Sequence, residues 1–220
     1  MRACEPDYEG YAEHEGVKIG FEVFGDANEG ATLLLLQGWQ ISHSRLWKAQ
    51  VPYLARHYRV VTFDTPGNGR SSRPTDVEAY APEERLAWTR AVLDATRTQR
   101  AIIVTLSGGP ADAMAFAGTD PDRVEGLVLF CPVMPIRAPW PDWLLTWDEP
   151  MSADDHPSMN RSCVAHQYDR FAPWFIDQIL SEPHSTKQIE DTLGWAAETE
   201  GRVIVNGADS RILPPDAFRP

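Results

Sequence analysis

The sequence has little of what is typical of membrane, secreted or metal-binding proteins. No apolar run approaches the roughly 20 residues that a membrane helix needs, since the leucine run Leu33–Leu36 stops at Gln37. The first residues lack the apolar stretch of a secretory signal. Its 3 cysteines stand at no metal-ligand spacing. We therefore expect a protein of the reducing cytoplasm, without membrane contact and without a bound metal.

Basic residues are also scarce. The 220 residues hold 20 Lys and Arg against 32 Asp and Glu, a formal net charge of −12. Such a surface repels a phosphate backbone, so we expect no nucleic-acid partner. Disorder is excluded by 8 Trp, 8 Phe and 6 Tyr. The length suits one domain with a small insertion, enough to bury a core.

The first half of the chain alternates short apolar runs with helical patterns. This order predicts an α/β fold in which helices cover both faces of a mostly parallel sheet. Strands are expected at residues 17–24, 31–36, 59–63, 101–104 and 124–131, and helices at 44–57, from 82 onward and at 110–117.

The second half of the chain has a different composition. Residues 137–201 hold five tryptophans, many prolines and no buried-strand run, which favours a helical cap. Within them, Ser185 and Gln188 have the spacing of a capping box, so a helix should begin there. A β-branched run at Arg202–Asn206 predicts a last strand. The predicted domains are therefore a core at 1–136, a cap at 137–201 and a return to the core at 202–220.

The strongest local motif surrounds Ser107. A buried strand runs into this serine between small residues, and Pro110 then stands in the first turn of a helix. That layout suits a nucleophile elbow, whose usual pattern is G-x-S-x-G. Thr105 replaces the first glycine here and Gly109 keeps the last. A glycine-rich strand-to-helix turn is common in α/β proteins, so the motif alone leaves a purely structural serine open.

Two further motifs accompany the elbow. Gln37-Gly38-Trp39 ends an earlier buried strand, and Asp64 begins a D-x-x-G-x-G-x-S motif after the next one. In this order and spacing, residues 17–132 resemble the α/β-hydrolase superfamily, specifically its cap-bearing esterase, haloperoxidase and epoxide-hydrolase-like branch. The resemblance implies an α/β-hydrolase sheet with a helical cap insertion.

The resemblance also implies roles for individual residues. Ser107 would be the nucleophile, and the backbone N–H groups of Gly108 and Trp39 would form the oxyanion hole. Gln37 stands where family members usually have histidine. No metal or organic cofactor is implied. A serine at position 107 disfavours the branch that uses an aspartate nucleophile, which includes epoxide hydrolases.

The rest of the triad departs from the family pattern, in which an acid and then a histidine follow the serine. Asp209 is the candidate acid, beside Ser210 at the usual acid position, and an ordinary solvated turn aspartate is an equal alternative. No histidine follows Asp209. The pattern therefore indicates a C-terminally truncated chain, without the family's final helix and strand, or a lost triad histidine. Of the six histidines, His43 is nearest to the oxyanion loop by motif; the others are expected on the surface or in the cap.

These features predict a serine hydrolase of small hydrophobic esters or related acyl or C–C substrates. One alternative is a triad-deficient member that binds an apolar small molecule without catalysis. Another is a cofactor-free oxygenase, which on this fold depends on a histidine–acid pair. The expected partner is an apolar small-molecule substrate. An unpaired sheet edge, where the final strand should pair, also predicts a homodimer.

Overall fold

A six-stranded sheet organises the first half of the chain. The computed structural model describes residues 4–132, 147–152 and 154–209. The strand order is β1-β2-β4-β3-β5-β6, with β3, β4, β5 and β6 parallel and β1 and β2 antiparallel to their neighbours. The strands are β1 (Tyr8–His14), β2 (Val17–Phe24), β3 (Thr32–Leu35), β4 (Arg59–Phe63), β5 (Ala101–Leu106) and β6 (Val124–Phe130). The mostly parallel α/β sheet is confirmed, and β1 is an additional strand.

The helices of the first half connect these strands. They are α1 (Val51–Leu54), α2 (Pro82–Ala95) and α3 (Gly109–Thr119), with 3₁₀ turns at Ser44–Trp47, Val77–Tyr80 and Pro121–Arg123. The prediction of one helix over 44–57 is wrong, because the segment divides into a 3₁₀ turn and α1. Pro52 stands in the first turn of α1, where its missing N–H is tolerated. A continuous helix would have placed that proline in its interior.

Both faces of the sheet are covered, as the continuous leucine run predicts. Leu34 and Leu36 belong to a buried cluster that contains Trp88 of α2 and Phe116 of α3. Leu33 and Leu35 point to the opposite face and join a second cluster with Trp47 and Val51. Because β3, β4, β5 and β6 are parallel, their carboxyl ends lie together at one end of this covered sheet.

The second half of the described chain is helical. Its helices are α4 (Arg161–His166), α5 (Tyr168–Ile179), α6 (Thr186–Ala196) and α7 (Gly201–Asp209). They bury a cluster of their own, which includes Cys163, Phe171 and Ile176 and extends to Ile41 and Trp39 of the sheet half. The helix expected after Ser185 is confirmed as α6, but the capping box is not formed, because the Ser185 hydroxyl donates to Oε2 of Glu182 (3.0 Å). The cap and core boundaries predicted from sequence stay predictions.

The predicted strand at Arg202–Asn206 is wrong, because these residues lie in α7. Val203 and Ile204 are fully buried, Val203 in the core cluster and Ile204 in the cap cluster. A short β-branched run of this kind does not distinguish a strand from a buried helix. α7 packs closely at both ends: a Cβ on Gly201 would lie 2.0 Å from the carbonyl oxygen of Val164, and one on Gly207 2.7 Å from Nε2 of Gln40.

Candidate active site

Ser107 occupies the junction between β5 and α3. Its φ of +56° lies in the left-handed region, which costs a non-glycine residue free energy and is frequent at functional sites. The Ser107 N–H donates to the carbonyl oxygen of Phe130 at the end of β6 (3.0 Å). The side chain is half-buried, and its hydroxyl forms no hydrogen bond to another residue in the described part of the chain. The strand–turn–helix layout expected for this segment is therefore present.

The small residues around Ser107 are required by close packing. A Cβ on Gly38 would lie 2.8 Å from the carbonyl oxygen of Leu106 and 3.0 Å from the Cβ of Ser107. A Cβ on Gly109 would lie 2.1 Å from Oγ1 of Thr105. Real Cβ atoms do not tolerate such distances, so both glycines permit the loop after β3 to press against the elbow. The sequence motifs that suggested one site thus meet in space.

Two backbone donors lie at this contact. Gly108 immediately precedes α3, where N–H groups have no intrahelical acceptor and the helix dipole favours negative charge. Trp39 follows Gly38 in the loop that packs on Ser107. Neither N–H, of Gly108 or of Trp39, donates to another residue among those the structure describes.

Gln37 anchors the loop that carries Gly38 and Trp39. Its side chain is buried, and both ends of its amide have hydrogen-bond partners. The amide nitrogen donates to the carbonyl oxygen of Phe63 (3.1 Å). The amide oxygen accepts from the N–H (2.8 Å) and the hydroxyl (2.5 Å) of Thr65. This side chain therefore ties the end of β3 to the end of β4, next to the elbow.

Asp64 holds the loop after β4. Its carboxylate is buried and accepts from the N–H groups of Ser44 (3.0 Å) and Arg70 (2.9 Å). Burial by itself raises the pKa of Asp64, but hydrogen bonding and charge from His43 and these backbone donors outweigh it and lower the pKa to about 2. Asp64 is therefore ionised throughout the physiological range. Its contacts shape the loop and do not reach Ser107.

His43 faces two carboxylates. It is 3% exposed; its Nδ1 lies 3.6 Å from Oδ1 of Asp64, and its Nε2 lies 3.6 Å from Oε2 of Glu198 in the segment after α6. The ring of Trp195 packs edge-on against the His43 ring, with centroids 5.8 Å apart. No hydrogen bond joins His43 to Ser107 within the described residues. The structure therefore supports His43 as a tie between core and cap more than as a general base.

The other five histidines have neighbours other than Ser107 or are exposed. His14 pairs with Glu84 (3.1 Å), His57 lies beside Tyr53 and Tyr58, and Nδ1 of His156 is 3.0 Å from the carbonyl oxygen of Pro157. His166 and His184 are exposed in the helical half. All six histidines of the sequence lie in the described part of the chain, and none of them hydrogen-bonds to Ser107 there. The general base is not located.

Asp209 does not follow a strand. The role of acid predicted for it requires a strand at 202–206 that delivers its carboxylate to the carboxyl end of the sheet. Asp209 is instead the last residue of α7. Its side chain and the neighbouring Ser210 lie outside the described residues. The strand that supported a catalytic role for Asp209 is absent, and the role itself stays a prediction.

An aromatic cluster packs on Trp39 in the loop after β3, and sequence reasoning missed it. The Trp39 ring meets Phe171 and Phe175 of α5 edge-on, with centroids 6.2 and 5.4 Å away. Phe171 is also 5.9 Å from Trp174. The i, i+4 spacing of Phe171 and Phe175 is the sequence pattern from which this cluster could have been predicted. Of the five cap tryptophans, Trp147 is buried, Trp174 and Trp195 are half-buried, and Trp140 and Trp143 lie outside the described residues.

The helices of the described chain include none with the length and apolarity that a bilayer crossing requires.

The family model described as alpha/beta hydrolase fold matches residues 31–159, more than half of the chain. The chain therefore belongs to the alpha/beta hydrolase family, as the motifs at Gln37, Asp64 and Ser107 indicated.

Curated relatives have several activities. Epoxide hydrolase B of Mycobacterium tuberculosis is 37% identical over 101 residues, 46% of this chain and 28% of the relative. The pimeloyl-[acyl-carrier protein] methyl ester esterase of Aeromonas hydrophila is 30% identical over 188 residues, 83% of this chain and 66% of the relative. In both alignments the chain spans less than two thirds of the relative's length.

The fold itself recurs among solved structures. A hydrolase from Pseudomonas aeruginosa superposes with a TM-score of 0.73 at 24% identity, covering 96% of this chain and 76% of that one. At this identity the likeness shows the fold alone.

Proposed function

We propose that this chain is a serine hydrolase of small hydrophobic esters or related acyl substrates. The observation that carries the proposal is the contact of Gly38 with Ser107 and Leu106, which brings the Trp39 loop against a serine with left-handed backbone. The similarity to a methyl ester esterase supports ester chemistry. Ser107 stands where an epoxide-opening branch would need aspartate, so we do not assign the activity of the epoxide hydrolase relative.

In the proposed reaction, Oγ of Ser107 attacks the carbonyl carbon of the ester. The N–H groups of Gly108 and Trp39 stabilise the oxyanion, which is the largest contribution in many acyl transfers. The bond to the leaving alcohol then breaks, and the proton lost by the Ser107 hydroxyl passes to that alcohol. Water then hydrolyses the acyl-enzyme, which releases the carboxylic acid and returns a proton to Oγ of Ser107. The aromatic cluster of Trp39, Phe171 and Phe175 would contact the apolar part of the substrate.

A slow rate is part of the proposal. The Ser107 hydroxyl has no histidine partner in the described residues, so only binding and the oxyanion hole accelerate its attack. Enzymes that have lost a triad member, the serine included, retain about 10³–10⁴-fold catalysis over water from those sources. We expect turnover of p-nitrophenyl butyrate above that level, because attack by Ser107 adds a route through an acyl-enzyme.

The test compares the purified chain with Ser107→Ala and with Ser158→Ala, which changes a serine of the cap. The proposal requires that turnover fall to this serine-independent level in Ser107→Ala and stay unchanged in Ser158→Ala. Equal rates in all three proteins would overturn it.

A second candidate function is non-catalytic binding of an apolar small molecule. It is favoured by the Ser107 hydroxyl, which has no hydrogen-bond partner among the described residues, and by the aromatic cluster around Trp39. In that case the wild type and Ser107→Ala would be equally inert. Both would nevertheless bind p-nitrophenyl butyrate with the same Kd, measured by quenching of tryptophan fluorescence. The oxygenase alternative gains no support, because the His43–Asp64 pair is enclosed by Glu198 and Trp195.

A further inference from the structure

One histidine and two glutamates converge at the turn that joins β1 to β2. His14 ends β1, Glu15 follows it in the turn, and Glu84 lies in the first turn of α2. Nε2 of His14 is 3.1 Å from Oε2 of Glu84. A ring nitrogen of His14 and one carboxylate oxygen of each glutamate all lie within 4.8 Å of one another. The packing of a hairpin on a helix therefore gathers three side chains of the kinds that bind metal ions.

The backbone that carries these side chains is well packed. His14 pairs with Val17 in the antiparallel ladder between β1 and β2. Ala12, two residues before His14 and so on the same face of β1, belongs to the buried cluster that contains Trp88 of α2. The core thus fixes the hairpin and the helix relative to each other before any ion binds. Such preorganisation reduces the entropy lost on binding.

Glu15 has a left-handed backbone conformation. Its φ is +47° and that of Gly16 is +80°, as in the two-residue hairpin turns that favour Asn-Gly or Gly-Gly. A glutamate in this conformation costs free energy. The turn brings its carboxylate to the side of the hairpin on which Glu84 lies. Because Glu15 is exposed, rotation of its side chain can bring the carboxylate closer still.

The charges at this turn suit a cation. Among the described residues, Glu84 has His14 as its ion-pair partner, and neither Glu15 nor Glu84 is paired with a lysine or an arginine. Two carboxylates therefore face one imidazole without a fixed positive charge between them. The net charge of −12 attracts cations to the surface as a whole.

The donor set favours zinc. Calcium and magnesium prefer oxygen ligands alone, whereas zinc takes imidazole nitrogen together with carboxylate oxygen. Zinc–ligand distances of about 2.0–2.2 Å place neighbouring ligands of a tetrahedral site about 3.3 Å apart. The 3.1 Å between His14 and Glu84 is close to that separation. The expectation of no bound metal was based on cysteine spacing, which does not bear on a site built from histidine and glutamate.

We propose that His14, Glu15 and Glu84 bind a Zn²⁺ ion that joins the β1–β2 turn to the start of α2. Nε2 of His14 and one oxygen of each carboxylate supply three ligands, and water supplies the fourth. The role is structural, because three strands separate β1 from β5, which leads to Ser107. At the usual spacing of strands this is about 19 Å.

The test is zinc binding to the untagged 220-residue chain, measured by isothermal titration calorimetry with zinc chloride. We expect one Zn²⁺ per chain, and His14→Gln and Glu84→Gln should each raise the Kd by roughly tenfold or more, because each removes a ligand. The matched controls are His57→Gln and Glu83→Gln, at exposed positions outside the site. Both should leave the Kd unchanged. Zinc should also raise the urea midpoint of the wild type and not that of His14→Gln.

X-ray absorption spectroscopy at equimolar zinc separates this site from the free thiols of Cys4, Cys131 and Cys163. The proposed site gives nitrogen and oxygen ligands at about 2.0–2.2 Å, whereas a thiolate gives a Zn–S distance of about 2.3 Å. A Zn–S distance would overturn the proposal, and so would a chain that takes up no zinc or a Kd that neither ligand variant raises. If circular dichroism shows that one ligand variant does not fold, the other decides.

Discussion

Gly38 packs directly on Ser107: a Cβ added to Gly38 would lie 3.0 Å from the Cβ of Ser107 and 3.6 Å from the backbone nitrogen of Gly108. This contact joins the loop after β3 to the turn after β5, two neighbouring parallel strands. It brings the candidate nucleophile and the loop of the candidate oxyanion donors together. The proposed chemistry depends on it.

The first prediction concerns this contact. Gly38→Ala should lower the free energy of unfolding by about 1–3 kcal/mol, because its Cβ meets the Leu106 carbonyl oxygen at 2.8 Å and backbone cannot move aside cheaply. It should also reduce esterase turnover, since the Trp39 N–H is displaced. Urea unfolding and p-nitrophenyl butyrate assays measure the two effects.

Gly118→Ala is the matched control for Gly38→Ala. Gly118 lies in α3, and nothing stands within 4 Å of its Cβ position. Alanine there should stabilise the fold by about 0.5–1 kcal/mol through helix propensity and leave turnover unchanged. If Gly38→Ala behaved like Gly118→Ala, the close packing of the loop on the elbow would be disproved.

The second prediction concerns acid stability. The pKa of Asp64 is lowered from 3.8 to about 2, so folding stabilises its ionised form. That stabilisation, about 2 kcal/mol, is fully present above pH 4 and is lost as the pH falls through about 2. Asp64→Asn should therefore be less stable than the wild type at pH 7, with a difference that shrinks as the solution is acidified from pH 4 to pH 2.

Urea midpoints measured across that pH range check the Asp64 prediction. Asp154→Asn is a suitable control, because Asp154 is exposed in the cap. A stability difference between the wild type and Asp64→Asn that stays constant down to pH 2 would contradict the account of Asp64.

The third prediction separates the two roles considered for His43. If His43 is a tie between Asp64 and Glu198, His43→Gln should lower the melting temperature but leave a measurable release of p-nitrophenol by Ser107. His166→Gln, at an exposed position, should change neither quantity. A folded His43→Gln protein that has lost all turnover would instead identify His43 as the base.

Much of the fold could be predicted from the sequence because its strands are continuous apolar runs bounded by turns. Leu33–Leu36 and Ala101–Val104 are four-residue apolar runs that alternate with helical patterns, as the strands of a parallel sheet do. The same reasoning fails for Val203–Val205, because three consecutive apolar residues fit a buried helix as well as a strand. β1 was missed because Glu9, Gly10 and Glu13 give it no apolar run.

The candidate site could be predicted where backbone geometry dictates residue type. Gly38, Ser107 and Gly109 stand at positions of close approach or left-handed φ, and such positions leave a local motif. The contact of His43 with Glu198 leaves no local motif, because the two residues are far apart in sequence. They meet only where the segment after α6 packs on the core. Long-range side-chain pairs of this kind emerge from tertiary packing.

The most direct measurement of the central claim is the site of acylation. The chain is mixed with p-nitrophenyl butyrate, quenched in acid within the first turnover, digested and mapped by mass spectrometry. A butyryl group on the peptide that contains Ser107, absent from the Ser107→Ala protein, is the predicted result. Turnover without that adduct, or with the adduct on another residue, would contradict the account.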